Sequence, residues 1–495
     1  MNLRLKLTIA AACIATALVA AACGGTTQKP EGLGESGAAL ITSGALAYVA
    51  VDTDFGSSQW QKLDTLLKKF PARDRLLTEI DRALAEKQLD YNRDIKPALG
   101  SEVDLAVEAD SSVQDIAYAY LWKPDSMEKA KALVRKLDQS SPESATRVVD
   151  GWLVVADKQE MIDRVLKGSG SSLADDSKFR EAIGKLPDDA LVKAYANGRQ
   201  VSNLVDSIFG GTAETTALGG SSQFGLDKLD WLAGSVAAKD DGLGLEGDIK
   251  GTNGTPFDLE QYESKLISGV PADALAFLSF HGKQGFDPFS QVRQNPAFDE
   301  GLRQVERMLG MSLDKVFALF EHETAFYVRR GPGLPEFSLV LEAPDTVQAL
   351  TTIDGLAARI AEFTHARVGS EKQDGLEVKT LTYGPVTLHW AGFDGRVLLT
   401  TAPTGIGDYR AGGDKLDDSS TFKDALLAAG APGKNGGLVY VNLADAVQLI
   451  QSYAGLADGK LPADVRENLR PLRSFVAYGT SGGDVTKLAA FLAVK

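Results

Sequence analysis

Four histidines, some paired acids and a few glycine-framed serines are the residues of this chain that could do chemistry. His281, His322, His365 and His389 all lie in the second half. The densest ligand-like group is Glu321-His322-Glu323, which offers a divalent cation two carboxylates and an imidazole. On a strand, however, Glu321 and Glu323 share one face and His322 takes the other. That geometry does not converge on one ion and reads as a solvated edge. His389 stands beside Trp390 in a strand-like run and reads as a packed residue rather than a base. Gly479-Thr480-Ser481-Gly482-Gly483 has the spacing of a nucleophile elbow, but no histidine follows it and the flanking runs are strand-like. Gly242-Leu243-Gly244-Leu245-Glu246-Gly247 has the glycine spacing of a dinucleotide fingerprint, without the helix that must follow. Asp175-Asp176 and Asp417-Asp418 precede Phe179 and Phe422 by one turn and read as helix caps. The expectation is therefore no catalytic, cofactor-binding or metal-binding residue.

One residue does carry a chemical assignment. Arg4 and Lys6 precede an apolar run, Leu7 to Ala22, which ends in Val19-Ala20-Ala21-Ala22-Cys23-Gly24-Gly25. The run has the length of a signal segment and is short for a membrane span. Small residues before a cysteine resemble the bacterial lipobox, where the thiol is acylated and the cysteine becomes the new N-terminus. Here Ala20 stands where that motif usually has Leu. The reading is a signal peptide over 1–22 and lipid, palmitate among its chains, on Cys23. The other cysteine, Cys13, lies within the signal, so the mature body has neither disulfide nor free thiol. Residues 23–38 are rich in Gly, Thr, Pro and Glu and read as a flexible tether.

The 495 residues carry a formal charge of −15, with 44% hydrophobic and 24% charged residues. Such a balance suits a globular, acidic body. It argues against nucleic acid as partner and against lying flat on anionic headgroups.

The elements that must position any site come in two similar sets. Ala45 to Val51 matches Ala274 to Phe280, and Ile95 to Val107 matches Val316 to Val328. Tyr120 to Ser126 matches Val340 to Thr346, and Asp150 to Val155 matches Asp394 to Leu399. Leu173 to Phe179 matches Leu416 to Phe422. Five matches in one order imply an internal duplication. The turn-forming cluster Gly251-Thr252-Asn253-Gly254-Thr255-Pro256 marks the junction, giving domains over 39–255 and 256–495. Ala45 to Val51, Val103 to Val107 and Ile116 to Trp122 read as strands. Helices are read over Ser57 to Phe70, around Leu76 to Leu84, and after Pro124-Asp125-Ser126. Asp150-Gly151, Asp241-Gly242 and Asp394-Gly395 mark tight hairpins. The fold class is α+β: two homologous domains, each a mainly antiparallel sheet with helices packed on one face.

The strand Ala45 to Val51, followed by an amphipathic helix ending in Lys68-Lys69-Phe70-Pro71, resembles a bacterial family known as domain of unknown function 3352. The resemblance extends loosely over most of the mature chain. It implies an exported or membrane-anchored protein and no activity, so no functional residue is carried over.

Together these features predict an envelope lipoprotein on the extracytoplasmic face, held to the membrane through Cys23. Its body reads as a non-enzymatic binding protein for an unknown protein or hydrophobic ligand, without cofactor. One alternative is a carrier or sensor of lipid-like molecules. Another is a hydrolase built on two carboxylates in one cleft.

Overall fold

The structure is a computed structural model that describes residues 32–109, 116–138, 144–209, 221, 225–254, 259–285, 289, 293, 296–331, 334–456 and 461–495. The expected signal peptide and Cys23 lie outside the described residues. Alternation of buried and part-exposed side chains, as in Ala47–Asp52, makes the strands. In the first half they are β1 (Ala47–Asp52), β2 (Glu102–Ala109), β3 (Ile116–Lys123), β4 (Ala145–Val149), β5 (Trp152–Ala156), β6 (Val192–Asn197), β7 (Leu229–Lys239) and β8 (Gly242–Gly251). The second half adds β9 (Ala276–His281), β10 (Glu323–Arg329), β11 (Glu336–Glu342), β12 (Arg367–Gln373), β13 (Leu376–Tyr383), β14 (Val386–Phe393), β15 (Arg396–Thr400), β16 (Gly437–Asn442), β17 (Leu472–Gly482) and β18 (Val485–Val494).

Among the described residues all of them join one 18-stranded antiparallel sheet. Its spatial order is β4-β5-β3-β2-β1-β6-β7-β8-β18-β17-β16-β9-β10-β11-β15-β14-β13-β12. The order reads the same from either side of the β8–β18 contact, apart from the extra hairpin β12–β13. The duplication is thus a pseudo-two-fold axis between β8 and β18. Side-chain packing repeats it. Tyr48, Phe179 and Tyr195 pack edge to face in the first half, and Phe277, Phe422 and Tyr440 do so in the second. Such contacts are worth about 0.5–1.5 kcal/mol each beyond buried area. Asp150-Gly151 and Asp394-Gly395 both hold positive φ, at 46° and 83° and at 47° and 70°, as a two-residue hairpin turn requires.

Three expectations are corrected. First, helices cover both faces of the outer strands, because β5 is buried at every position. Trp152 and Val154 pack with Ile162 and Phe179 on the first face, whereas Leu153 and Val155 pack with Trp60, Ala98 and Leu133 on the second. In the second half Val340 and Leu398 meet Ile406 and Phe422, while Leu341 and Val397 meet Ile353 and Ala357. Second, the end of the expected tether is packed structure. Glu35–Ala38 is a short helix with Gly37 and Ala38 buried, and the Gly34 N–H donates to Glu102 Oε1 at 2.9 Å. The absence of a side chain at Gly37 is what admits it, since an added Cβ would overlap Asp104 Oδ2 and the Tyr48 hydroxyl.

Third, the match of Tyr120–Ser126 to Val340–Thr346 is one residue out of step. Leu121 pairs with Val154, and Val340 pairs with Leu398, so the register makes Leu121 and Val340 counterparts, 219 apart rather than 220. The halves are also sewn together. β18 supplies Val485 to one first-half core and Val494 to the other, and Lys69 Nζ donates to the Val494 carbonyl at 3.0 Å. Among the described residues no helix is long and apolar enough to cross a membrane.

Two outcomes follow from this packing. A fragment of residues 39–255 leaves β8 as an open edge carrying Leu243 and Leu245. It should aggregate, and the intact chain should unfold in one calorimetric transition; two independent transitions would contradict the shared sheet. Gly37→Ala should lower stability by about 1–3 kcal/mol in denaturant unfolding. Gly44→Ala, where an added Cβ meets nothing within 4 Å, should leave it nearly unchanged.

Candidate functional site

The second face of the sheet stays half open where its central strands meet. Successive registers place Val236, Leu245, Ala490, Ala477, Val439 and Leu278 side by side in one row across β7, β8, β18, β17, β16 and β9. The next row on the same face is Gly234, Gly247, Leu488, Gly479, Gly437 and Phe280. Leu245, Leu278, Phe280, Phe337 and Leu488, all on this face, are between 37% and 47% exposed. Four glycines in one row remove side chains from the sheet surface and leave a groove. The groove has a volume of about 450 Å³ and is lined by Leu245, Gly247, Gly437, Ala477, Gly479 and Leu488 among others. That volume lies in the range of small-molecule sites, about 300–1,000 Å³. Ladder hydrogen bonds occupy the backbone of its floor, so it presents apolar surface and few polar handles.

A second cleft, of about 650 Å³, is polar and is lined by Asp374, Asp394, Arg396, Tyr409, Arg410 and Lys415 among others. Two of its carboxylates have local work. Asp374 and Asp394 both hold φ of 47° at the first position of Asp-Gly hairpin turns. Lys415 Nζ donates to the carbonyls of Gly269, Asp408 and Tyr409.

The residues singled out from sequence are dispersed. Asp175 closes a capping box with Ser172, and Asp176 Oδ1 accepts from the Lys178 and Phe179 N–H groups. Ser481 lies in β17 and Gly242 to Gly247 in β8, so neither motif opens a helix. His365 is the left-handed cap of the helix Thr346–Thr364. His389 is buried in β14 with Nδ1 3.5 Å from Glu371 Oε1. Glu321 and Glu323 do not act together. Glu321 accepts from the Gly285 N–H, while Glu323 is buried and accepts from Ser264 Oγ and from the Lys265 and Leu266 N–H groups. His322 instead meets His281 and Glu342, brought in by the neighbouring strands β9 and β11. Strand register is the signal that joins them, and spacing along one segment does not contain it.

The first-half row that corresponds to His281, Glu323 and Glu342 is Asp52, Glu102 and Lys123. Burial pushes the Asp52 carboxyl up to about 7, against hydrogen bonds from the Ser57 hydroxyl and the Asp54 N–H. Burial, with the Glu102 charge beside it, also raises Asp104, whose Oδ2 accepts from the Tyr48 hydroxyl at 2.6 Å.

The family model described as "Protein of unknown function (DUF3352)" matches residues 7–131 and again 128–494. No curated protein matches the chain. Among solved structures, crystal form I of TP0453 is 12% identical over 46% of this chain and 76% of that one, with a TM-score of 0.22. Crystal form III of TP0453 is 10% identical over 46% of this chain and 92% of that one, also at 0.22. A likeness of that size carries no argument.

The buried acids set a pH dependence. An unfolded aspartate releases its proton near pH 4, and Asp52 in the folded chain does so near 7. Its share of stability is therefore full below about pH 4 and is lost as pH rises through 7. Denaturant unfolding at pH 5 and pH 8 should show Asp52→Asn losing less stability than wild type between them, by roughly 1–3 kcal/mol. Parallel losses would mean that Asp52 is not the group that titrates.

Proposed function

The chain belongs to the DUF3352 family of proteins of unknown function, and we propose that it is a non-enzymatic binding protein of the cell envelope whose ligand is a lipid-like molecule with a long apolar chain. The observation that carries this reading is the half-exposed apolar face over β7, β8, β18, β17, β16 and β9, with its glycine-floored groove of about 450 Å³. Covering such surface is favourable by about 25 cal/mol per Å² of apolar area. The floor offers few groups to orient a polar substrate, so recognition rests on shape and burial. A flexible acyl chain suits it better than a compact polar metabolite.

The N-terminal sequence supports the setting. An apolar segment ending in Ala20-Ala21-Ala22-Cys23 fits export and lipid attachment at Cys23, with the membrane as anchor and as source of ligand. The acidic composition, −15 overall, fits a body that stands off anionic headgroups.

Titrating the purified mature protein with a fluorescent long-chain fatty acid tests the groove. Gly247→Phe should weaken binding at least tenfold by filling it, and the strand should tolerate the change because an added Cβ meets Ala233 O no closer than 3.8 Å. Leu427→Ser, at a highly exposed helix position away from the groove, should bind as wild type. Equal affinity of wild type and Gly247→Phe would sink the proposal. Labelling cells with palmitate tests the anchor: wild type should take up label and Cys23→Ala should not.

A further inference from the structure

We propose that His281, His322 and Glu342 form a binding site for a divalent transition-metal ion of the zinc class. Each offers one ligand atom, and the three atoms lie within 4.8 Å of one another. Ligands around a tetrahedral zinc ion sit about 3.4 Å apart, so closing on an ion takes roughly 1 Å of side-chain movement. Two imidazoles and one carboxylate are a donor set for such ions, and a fourth position stays open to solvent beside the exposed His322.

The set is held from behind. His281 Nδ1 donates to the Gly282 carbonyl at 2.8 Å, which leaves Nε2 with the lone pair that a metal needs. Glu260 Oε2 stands 3.5 Å from the same Nδ1. Glu342 Oε2 accepts from the Glu323 N–H at 3.3 Å. The carrying elements are paired strands: Glu323 lies opposite His281, and the register that pairs Thr324 with Leu341 brings Glu342 alongside. The buried Glu323 carboxylate adds negative potential to the surroundings.

Comparison with the other half supplies an independent argument. Counterparts of His281, His322 and Glu342 are Asp52, Ser101 and Lys123. The first half carries its own cation there, the Lys123 ammonium, with the Asp52 carboxylate as counter-charge; the second half has Glu342 and His281 at those two positions and adds His322, so a carboxylate and two imidazoles stand together with no lysine or arginine among the three.

Zinc competition against a chromophoric chelator, on the full mature chain, tests the site. Wild type should bind one ion at micromolar or tighter affinity, and zinc should raise its unfolding temperature. His322→Ala and Glu342→Lys should each lose at least the roughly 100-fold that removal of a supporting partner can cost. Both should unfold like metal-free wild type, since His322 is exposed and Lys already occupies the matching first-half position. His365→Asn, a change at a left-handed helix cap, should bind as wild type. Zinc binding unaltered in His322→Ala and Glu342→Lys, binding lost in His365→Asn, or a wild type that binds only at millimolar zinc would each overturn the assignment.

Discussion

Backbone pairing between β8 and β18 is the interaction on which the rest of the molecule depends. Each half by itself would end in an open strand with unpaired N–H and C=O groups. The two open strands are copies of one ancestral strand, and they run antiparallel about a point near Glu246 and Ala489. A strand paired with its own copy this way is self-complementary, as the two sides of a symmetric dimer interface are. Duplication within one chain thus converts a would-be dimer into a single continuous sheet. One side-chain contact on the first face ties the copies together next to the axis without a symmetry mate: Lys487 Nζ pairs with Glu246 Oε2 at 2.6 Å, where the matching positions are Gly244 and Ala489.

The same pairing explains why an apolar groove forms where it does. Helices packed on the second face cover the outer strands of each half, where Leu133 and Ile353 find aliphatic partners, and reach inward beside Trp60 over the Ala238, Leu243 and Val494 ends of β7, β8 and β18. The centre belongs to neither half. Leu245 and Leu488 are left there with glycines beside them, and the surface is too apolar to be explained by solubility. The metal-ligand cluster sits apart from the axis, at the ends of β9 and β11, and owes nothing to the junction. One feature is a product of joining the copies and the other of their divergence.

Much of this was legible in the residues. Alternation in Ala45 to Val51, the Asp-Gly pairs and the ordered matches between halves pointed to antiparallel strands, hairpins and a duplication, because these depend on local backbone chemistry. Three things were not legible. The joining of the halves depends on which edge meets which, and Leu243 to Ile249 reads as an ordinary strand whatever its neighbour. The packing of Gly34 to Ala38 depends on Glu102 and Asp104, distant in sequence, which turn a polar tail into a seated one. His322 looked stranded between two outward carboxylates, because its companions arrive from other strands and the Pro-Asp match set Glu342 against Trp122 instead of Lys123.

The late position of β18 in the chain has a consequence for how the molecule comes into being. β8 and β18 are separated by more than two hundred residues, so their contact has a very high sequence separation and its loop-closure entropy falls due before any reward. During synthesis the first half must wait with a sticky flank until β18 has emerged. Throughout that wait a neighbouring nascent copy presents an equally good partner strand, so exchange between molecules competes with correct closure. Escorting factors that shield the flank should therefore matter more to the yield of this protein than its final stability does.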